Sequence, residues 1–269
     1  MLRVALVAAA VAAITIPLMP LQWLSLRLRL PTRRAIPVAY HRALCALLGV
    51  RVRVAGERLR RNPLLIVANH ASWLDICVLT ALAPVVFVAK REVAGMPLFG
   101  LLARLQRSVF VDRERRLLTA ATNAEIAARL AEGDPVVLFA EGTSSDGNRV
   151  LPFRSSLIGA AHAVLANVAV ADGGEKDAVV WIQPVSIAYV GLDGLPLGRP
   201  HRPCVAWYGG LDLLPHLAEV MRRGAVDVAV SWGEPVACAA ATDRKALARA
   251  LEATVRRMTV SALRAGVSS

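Results

Sequence analysis

A chain of 269 residues, 56% of them hydrophobic, is long enough for one sizeable α/β domain with appendages and carries more apolar surface than a freely soluble protein has to hide. Its formal charge of +12 is concentrated at one end: residues 1–61 hold eleven arginines against a single acid, Glu57, while residues 62–269 are close to neutral. The basic block adjoins an apolar N-terminus and has no interleaved aromatics, so its pattern fits an anionic bilayer surface and argues against a nucleic-acid partner.

Val4 to Leu26 is an uncharged run, enough helix to cross the hydrocarbon core of a bilayer. Arg27, Arg29, Arg33 and Arg34 follow it, against only Arg3 before it, and this bias places the downstream domain on the cytoplasmic face of the cell membrane. The core runs into Pro-Leu-Met-Pro-Leu-Gln-Trp rather than a small-residue cleavage site, which favours a retained anchor over a cleaved signal. Ile36 to Leu48 has apolar residues at helical spacing around His41 and Arg42, as in an interfacial helix. The two segments form either a hairpin dipping into one leaflet or a span followed by a surface helix.

Beyond residue 50 short apolar runs alternate with amphipathic stretches, the pattern of an α/β sheet. Strands are expected at Val52–Ala55, Leu64–Ala68, Val85–Ala89, Val109–Val111, Val136–Phe139, Val179–Val190, Val205–Tyr208 and Val226–Ser231. Helices are expected at Trp73–Leu82, Leu98–Leu105, Arg115–Ala131, Ser156–Asn167, Leu213–Arg222 and Arg244–Leu263, with a surface loop at Ala171–Lys176. Gly133-Asp134-Pro135 closes one helix and Thr242-Asp243 opens the last. The cysteines Cys45, Cys77, Cys204 and Cys238 form no C-x-x-C pair, which suits a reducing compartment and offers no zinc site.

The densest chemistry lies in Asn69-His70-Ala71-Ser72-Trp73-Leu74-Asp75, directly after an apolar strand. On one helix His70 and Asp75 would stand roughly 140° apart. They meet only if His70 sits in the turn leaving the strand and Asp75 in the first turns of the next helix, with Ser72 or Asn69 as N-cap; a carboxylate-oriented general base results. Three more strands end in polar clusters: Asp112-Arg113, Glu141-Gly142-Thr143-Ser144-Ser145, and Gln183-Pro184. Such ends converge on one crevice of an open sheet. No other His or Cys pair has ligand spacing, so no metal is expected.

These blocks resemble the glycerolipid O-acyltransferases typified by 1-acyl-sn-glycerol-3-phosphate acyltransferase. The N-H-x-S-x-x-D block, which contains the H-x4-D motif, is matched by Asn69, His70, Ser72 and Asp75. The D-R of the second block is matched by Asp112 and Arg113, with Ser108 where Gly is usual. The F-P-E-G-T-R-S block is matched at Phe139, Glu141, Gly142, Thr143 and Ser145, with Ala140 for Pro and Ser144 for Arg. The resemblance implies a three-layer αβα fold with a mixed, largely parallel sheet, behind an N-terminal membrane-anchoring helix or hairpin. Residues 1–50 would then be the anchor and 51–269 the acyltransferase domain. It also implies direct acyl transfer from acyl carrier protein or coenzyme A, with no bound cofactor. His70 would be the base and Asp75 its orienting partner. Asn69, Ser72, Arg113, Glu141, Gly142, Thr143 and Ser144 would contact substrate. No covalent serine is required, and G-x-S-x-G is absent.

Ser144 departs from the arginine thought to hold an acceptor phosphate, and no hydroxyl reproduces a guanidinium fork. Arg149 or Arg154 could supply the missing cation. The run Glu141 to Arg154, with Ala206-Trp207-Tyr208-Gly209, resembles the branch that includes lyso-ornithine lipid O-acyltransferases. The acceptor is therefore either lysophosphatidate or lyso-ornithine lipid. A lipid hydrolase and a non-catalytic lipid-binding scaffold are the rival classes.

Overall fold

The computed structural model describes residues 2–111, 120–156, 179–239 and 241–266. Two helices come first, α1 (Leu2–Arg27) and α2 (Thr32–Leu48). The strands are β1 (Val50–Ala55), β2 (Leu64–Ala68), β3 (Val86–Lys90), β4 (Val109–Val111), β5 (Val136–Phe139), β6 (Val180–Leu192), β7 (Leu195–Pro196), β8 (Val226–Trp232) and β9 (Val236–Cys238). Between and after them lie α3 (Leu74–Leu82), α4 (Arg91–Gly95), α5 (Phe99–Leu105), α6 (Ala120–Ala131), α7 (Leu213–Arg223) and α8 (Arg244–Ala265).

The sheet runs β1-β8-β6-β2-β5-β3-β4. It is parallel except where β6 meets β8, β7 and β9. Every residue of β2 is buried, as expected of a central strand covered on both faces. Leu64, Ile66 and Ala68 face a core shared with Leu44 and Leu48 of α2, Leu74 and Val78 of α3, and Val220 of α7. Leu65 and Val67 face the other core, with Ile126 and Leu130 of α6 and Leu247, Leu251 and Val255 of α8. This is the three-layer αβα fold expected.

Local chemistry sets the element ends. Gly49, at φ 75°, closes α2 in the left-handed conformation, which suits glycine. Asp243 caps α8 by accepting from the Lys245 and Ala246 amides, as its position predicted. Two expectations change. Val205–Tyr208 is no strand: the Trp207 amide donates to Ala71 O instead of a ladder, so this apolar segment packs as a loop against the His70 turn. α4 and the short strands β7 and β9 replace stretches in which no element was expected. The Ser156–Asn167 helix, the start of the Arg115–Ala131 helix and the Ala171–Lys176 loop lie largely or wholly outside the described residues.

α1 is fastened to the domain near both ends. Arg3 donates to the last carbonyls of α7, at Arg223 (3.0 Å) and Arg222 (3.4 Å), a favourable place for a cation. About 28 Å along the helix, Gln22 donates to Leu105 O at the end of α5 (2.9 Å) and to Arg33 O (3.0 Å). Val4, Val7 and Val11 pack on the core between these points. Thr15, Gln22 and Ser25 are its buried residues, whereas Leu2, Leu6, Ile16, Leu21 and Trp23 are more than half exposed. The helix thus turns its polar stripe to the protein and its apolar side outward.

Candidate active site

β2 delivers the site. Asn69 leaves the strand, and its side chain exchanges two hydrogen bonds with the Ile187 backbone, each 2.8 Å, continuing the β2–β6 pairing through a side chain. This fixes the start of the turn. His70 then stacks on Phe139 at the end of β5, ring centroids 4.0 Å apart and 15° from parallel.

His70 Nδ1 lies 2.8 Å from Asp75 Oδ2, and the Ala71 and Ser72 amides donate to the same oxygen at 2.8 and 3.0 Å. The N-cap position expected of Ser72 or Asn69 falls to Trp73, whose side chain makes no cap. Ser72 Oγ still accepts from the Leu74 amide at 3.4 Å, and Asp75, in the first turn of α3, reaches back to the amides of the turn before the helix. Tyr189 of β6 donates to Oδ1 at 2.6 Å. Asp75 is fully buried, and a buried carboxylate needs donors on both oxygens. It has them. The His70–Asp75 bond puts the proton on Nδ1 and leaves the Nε2 lone pair available. The His70 side chain keeps 17% exposure, so it is the part of the dyad that meets solvent.

The Glu141–Ser145 turn closes over this centre. The Gly142 amide donates to Phe139 O, and the Ser145 amide returns to His70 O (2.9 Å). Gly142 has φ 72°, and a Cβ there would stand 2.8 Å from Arg154 Nε, so glycine is needed for both conformation and space. Burial pushes the Glu141 carboxyl up to about 8; the Leu151 amide pulls it down and the Asp75 charge adds to the rise. Its Oε1 accepts from Leu151 N (3.2 Å), while Oε2 is buried with no hydrogen-bond partner among the described residues.

The site residues expected from sequence divide into groups. His70 and Asp75 meet. Glu141, Gly142, Thr143 and Ser144 stand on the adjoining turn, with Thr143 and Ser144 half-buried. Arg154 lies over Gly142, and both it and Arg149 are exposed. Asn69 and Ser72 point inward instead: Ser72 is fully buried, and Asn69 spends its amide on the backbone. They shape the turn and offer no surface to a substrate. Asp112 and Arg113 fall outside the described residues. Tyr189 carried no motif signal; only its position at the inner face of an apolar strand near residue 185 hinted at it. No group of three or more His, Cys, Asp or Glu side chains that could hold a metal occurs among the described residues.

The family model described as Acyltransferase matches residues 51–188. The chain is 49% identical to the lyso-ornithine lipid O-acyltransferase of Brucella abortus (strain 2308), covering 97% of this chain and 96% of that protein. It is 48% identical to the protein of that description from Rhizobium meliloti (strain 1021), covering 97% and 87%. It is 29% identical to the 1-acyl-sn-glycerol-3-phosphate acyltransferase of Neisseria gonorrhoeae, covering 72% and 69%. Among solved structures, the 1-acyl-sn-glycerophosphate acyltransferase PlsC of Thermotoga maritima aligns with a TM-score of 0.64 at 23% identity, over 100% of this chain and 96% of that one, a likeness of fold.

Proposed function

The chain belongs to the Acyltransferase family and is a lysolipid O-acyltransferase; from that premise we propose that it acylates lyso-ornithine lipid, with His70 as general base. The observation that carries the mechanism is the 2.8 Å His70–Asp75 bond beside a partly exposed imidazole. Nε2 takes the proton of the acceptor hydroxyl as its oxygen attacks the thioester carbonyl. The C–O bond forms, the C–S bond breaks, and the imidazolium returns the proton to the departing thiolate. Asp75 holds the tautomer and balances the transient charge. Tyr189 and the two amides hold Asp75. No cofactor enters; the donor is the thioester of acyl carrier protein or coenzyme A.

The choice of acceptor is supported by near-full-length similarity to two lyso-ornithine lipid O-acyltransferases and by Ser144. The docking of α1 along the domain supports a monotopic attachment, its apolar side immersed in one leaflet of the bacterial inner membrane and the active site facing the cytoplasm. Arg27 and Arg29, both exposed, then meet anionic head groups, while Arg33 and Arg34 are held by Glu132 and Asp134 of the domain.

Offering one purified preparation lyso-ornithine lipid and lysophosphatidate, each with acyl carrier protein and coenzyme A thioesters, tests this. Lyso-ornithine lipid should be turned over with the larger kcat/KM. A preference for lysophosphatidate would overturn the acceptor assignment and leave the His70 mechanism standing.

A further inference from the structure

A buried cation beside the reaction turn makes no direct ion pair among the described residues. Arg202 opens the short 3-10 turn Arg202–Cys204 and is only 8% exposed. Its Nη1 donates to Asn148 Oδ1 (2.8 Å), while Nε is buried without an acceptor among the described residues. No ion pair to it forms among them. Asn148 is itself held, its Nδ2 donating to Asp146 Oδ2 (3.1 Å) and Arg199 O (3.2 Å).

This group is built into the catalytic turn. Gly147 has φ 76°, and a Cβ there would lie 3.8 Å from the Ala71 Cβ and 3.9 Å from those of Ala206 and Arg202. The loop carrying Asn148 therefore lies between Arg202 and Ala71, the residue after His70. Two backbone bonds fix that packing, Ser145 N to His70 O and Trp207 N to Ala71 O. A guanidinium withdrawn from water this far is costly unless an anion meets it, and its planar fork fits a carboxylate.

We infer that Arg202 receives the carboxylate of the acceptor's amino-acid head group, standing in for the cation absent at Ser144. The inference rests on lyso-ornithine lipid being the acceptor. Asp146 refines it. Burial raises this carboxyl, but the Asn148 hydrogen bonds and the Arg149 charge outweigh burial and hold it below the usual range. An ionised carboxylate within electrostatic reach of Arg202 attracts the ammonium of an ornithine head group and repels a phosphomonoester dianion. The pair suits a zwitterion.

The test compares wild type, R202Q and R202K, as full-length enzyme in mixed micelles, on lyso-ornithine lipid and on its carboxamide, in which the carboxylate is capped. R202Q should raise KM for the parent lipid about 10- to 100-fold, with kcat within roughly 3-fold, and should leave KM for the carboxamide at its wild-type level. R202K, keeping the charge without the fork, should fall between. Equal losses on both acceptors would mark Arg202 as structural and overturn the inference, as would an unchanged KM on both. If R202Q fails to fold, R202K decides by the same comparison. Wild type that ignores lyso-ornithine lipid ends this inference and the acceptor assignment together; wild type that uses it while the variants match it ends this inference alone.

Discussion

Asp75 collects four donors, two from backbone amides one turn away, one from His70 and one from Tyr189, 114 residues further on. The first three follow from the spacing of one motif, because a strand–turn–helix forces His70 and Asp75 together. The fourth depends on the β2–β6 pairing, in which Ala68 sits beside Val185, and local sequence does not encode such a contact. Tyr189→Phe removes a donor and keeps the ring. Asp75 then loses one of the groups that hold it, and His70 loses part of its orientation, so kcat should fall roughly 10-fold with KM little changed; an unchanged kcat would show that Tyr189 only fills space. Glu141 makes a separate prediction. Its carboxyl, raised to about 8 from 4.5, is protonated in both folded and unfolded chains below about pH 4.5. As pH climbs toward 8 the unfolded chain releases a proton that the folded chain keeps, and stability falls, by at most about 1.4 kcal/mol per pH unit. Glu141→Gln removes this dependence, so melting curves of the two proteins should diverge between pH 5 and 8, with wild type the less stable. Parallel curves would contradict a protonated Glu141.

Among the elements, α1 was legible in kind and not in placement. Its length and hydropathy suit a membrane helix, yet a span and an in-plane helix share that signature. The in-plane placement proposed above rests on Arg3, Thr15, Gln22 and Ser25, polar residues spaced to face one side; Thr15 and Ser25 bond to the neighbouring α2, while the α7 and α5 partners of Arg3 and Gln22 lie far along the chain. Leu44 and Leu48 of α2 join the main core, each worth about 1.5–3 kcal/mol of burial, and Arg34 adds an ion pair to buried Asp134 (2.6 Å). The helical pair therefore travels with the domain. An epitope tag fused before Met1 should be digested from the same side of sealed membrane vesicles as the catalytic domain. Digestion only from the opposite side would mean that α1 crosses the bilayer and that its docked position is wrong.

Across the whole molecule, seven of the eight strands expected beyond residue 50 stand within two residues of where hydrophobic runs put them, because strands of a covered sheet need continuous apolar sequence. β9 and α4 were hidden, the first too short to build a run and the second dominated by charge and glycine. The apparent strand at Val205–Tyr208 misled because a loop packed on the site is as apolar as a strand. The layers give the molecule two sides, with α1, α2, α3 and α7 on one face of the sheet and α6 and α8 on the other. The β2 and β5 ends between them carry His70 and Glu141. On the proposed mechanism, an acyl chain arriving from the leaflet and a hydroxyl at the lipid surface would meet at that edge, where the His70 imidazole would activate the hydroxyl. Purified His70→Ala, assayed for acyl transfer to lyso-ornithine lipid while its melting temperature and vesicle binding are followed, tests this most directly. Transfer should fall by at least about 1,000-fold with melting and binding unchanged; near-normal turnover by a folded, membrane-bound variant would contradict it.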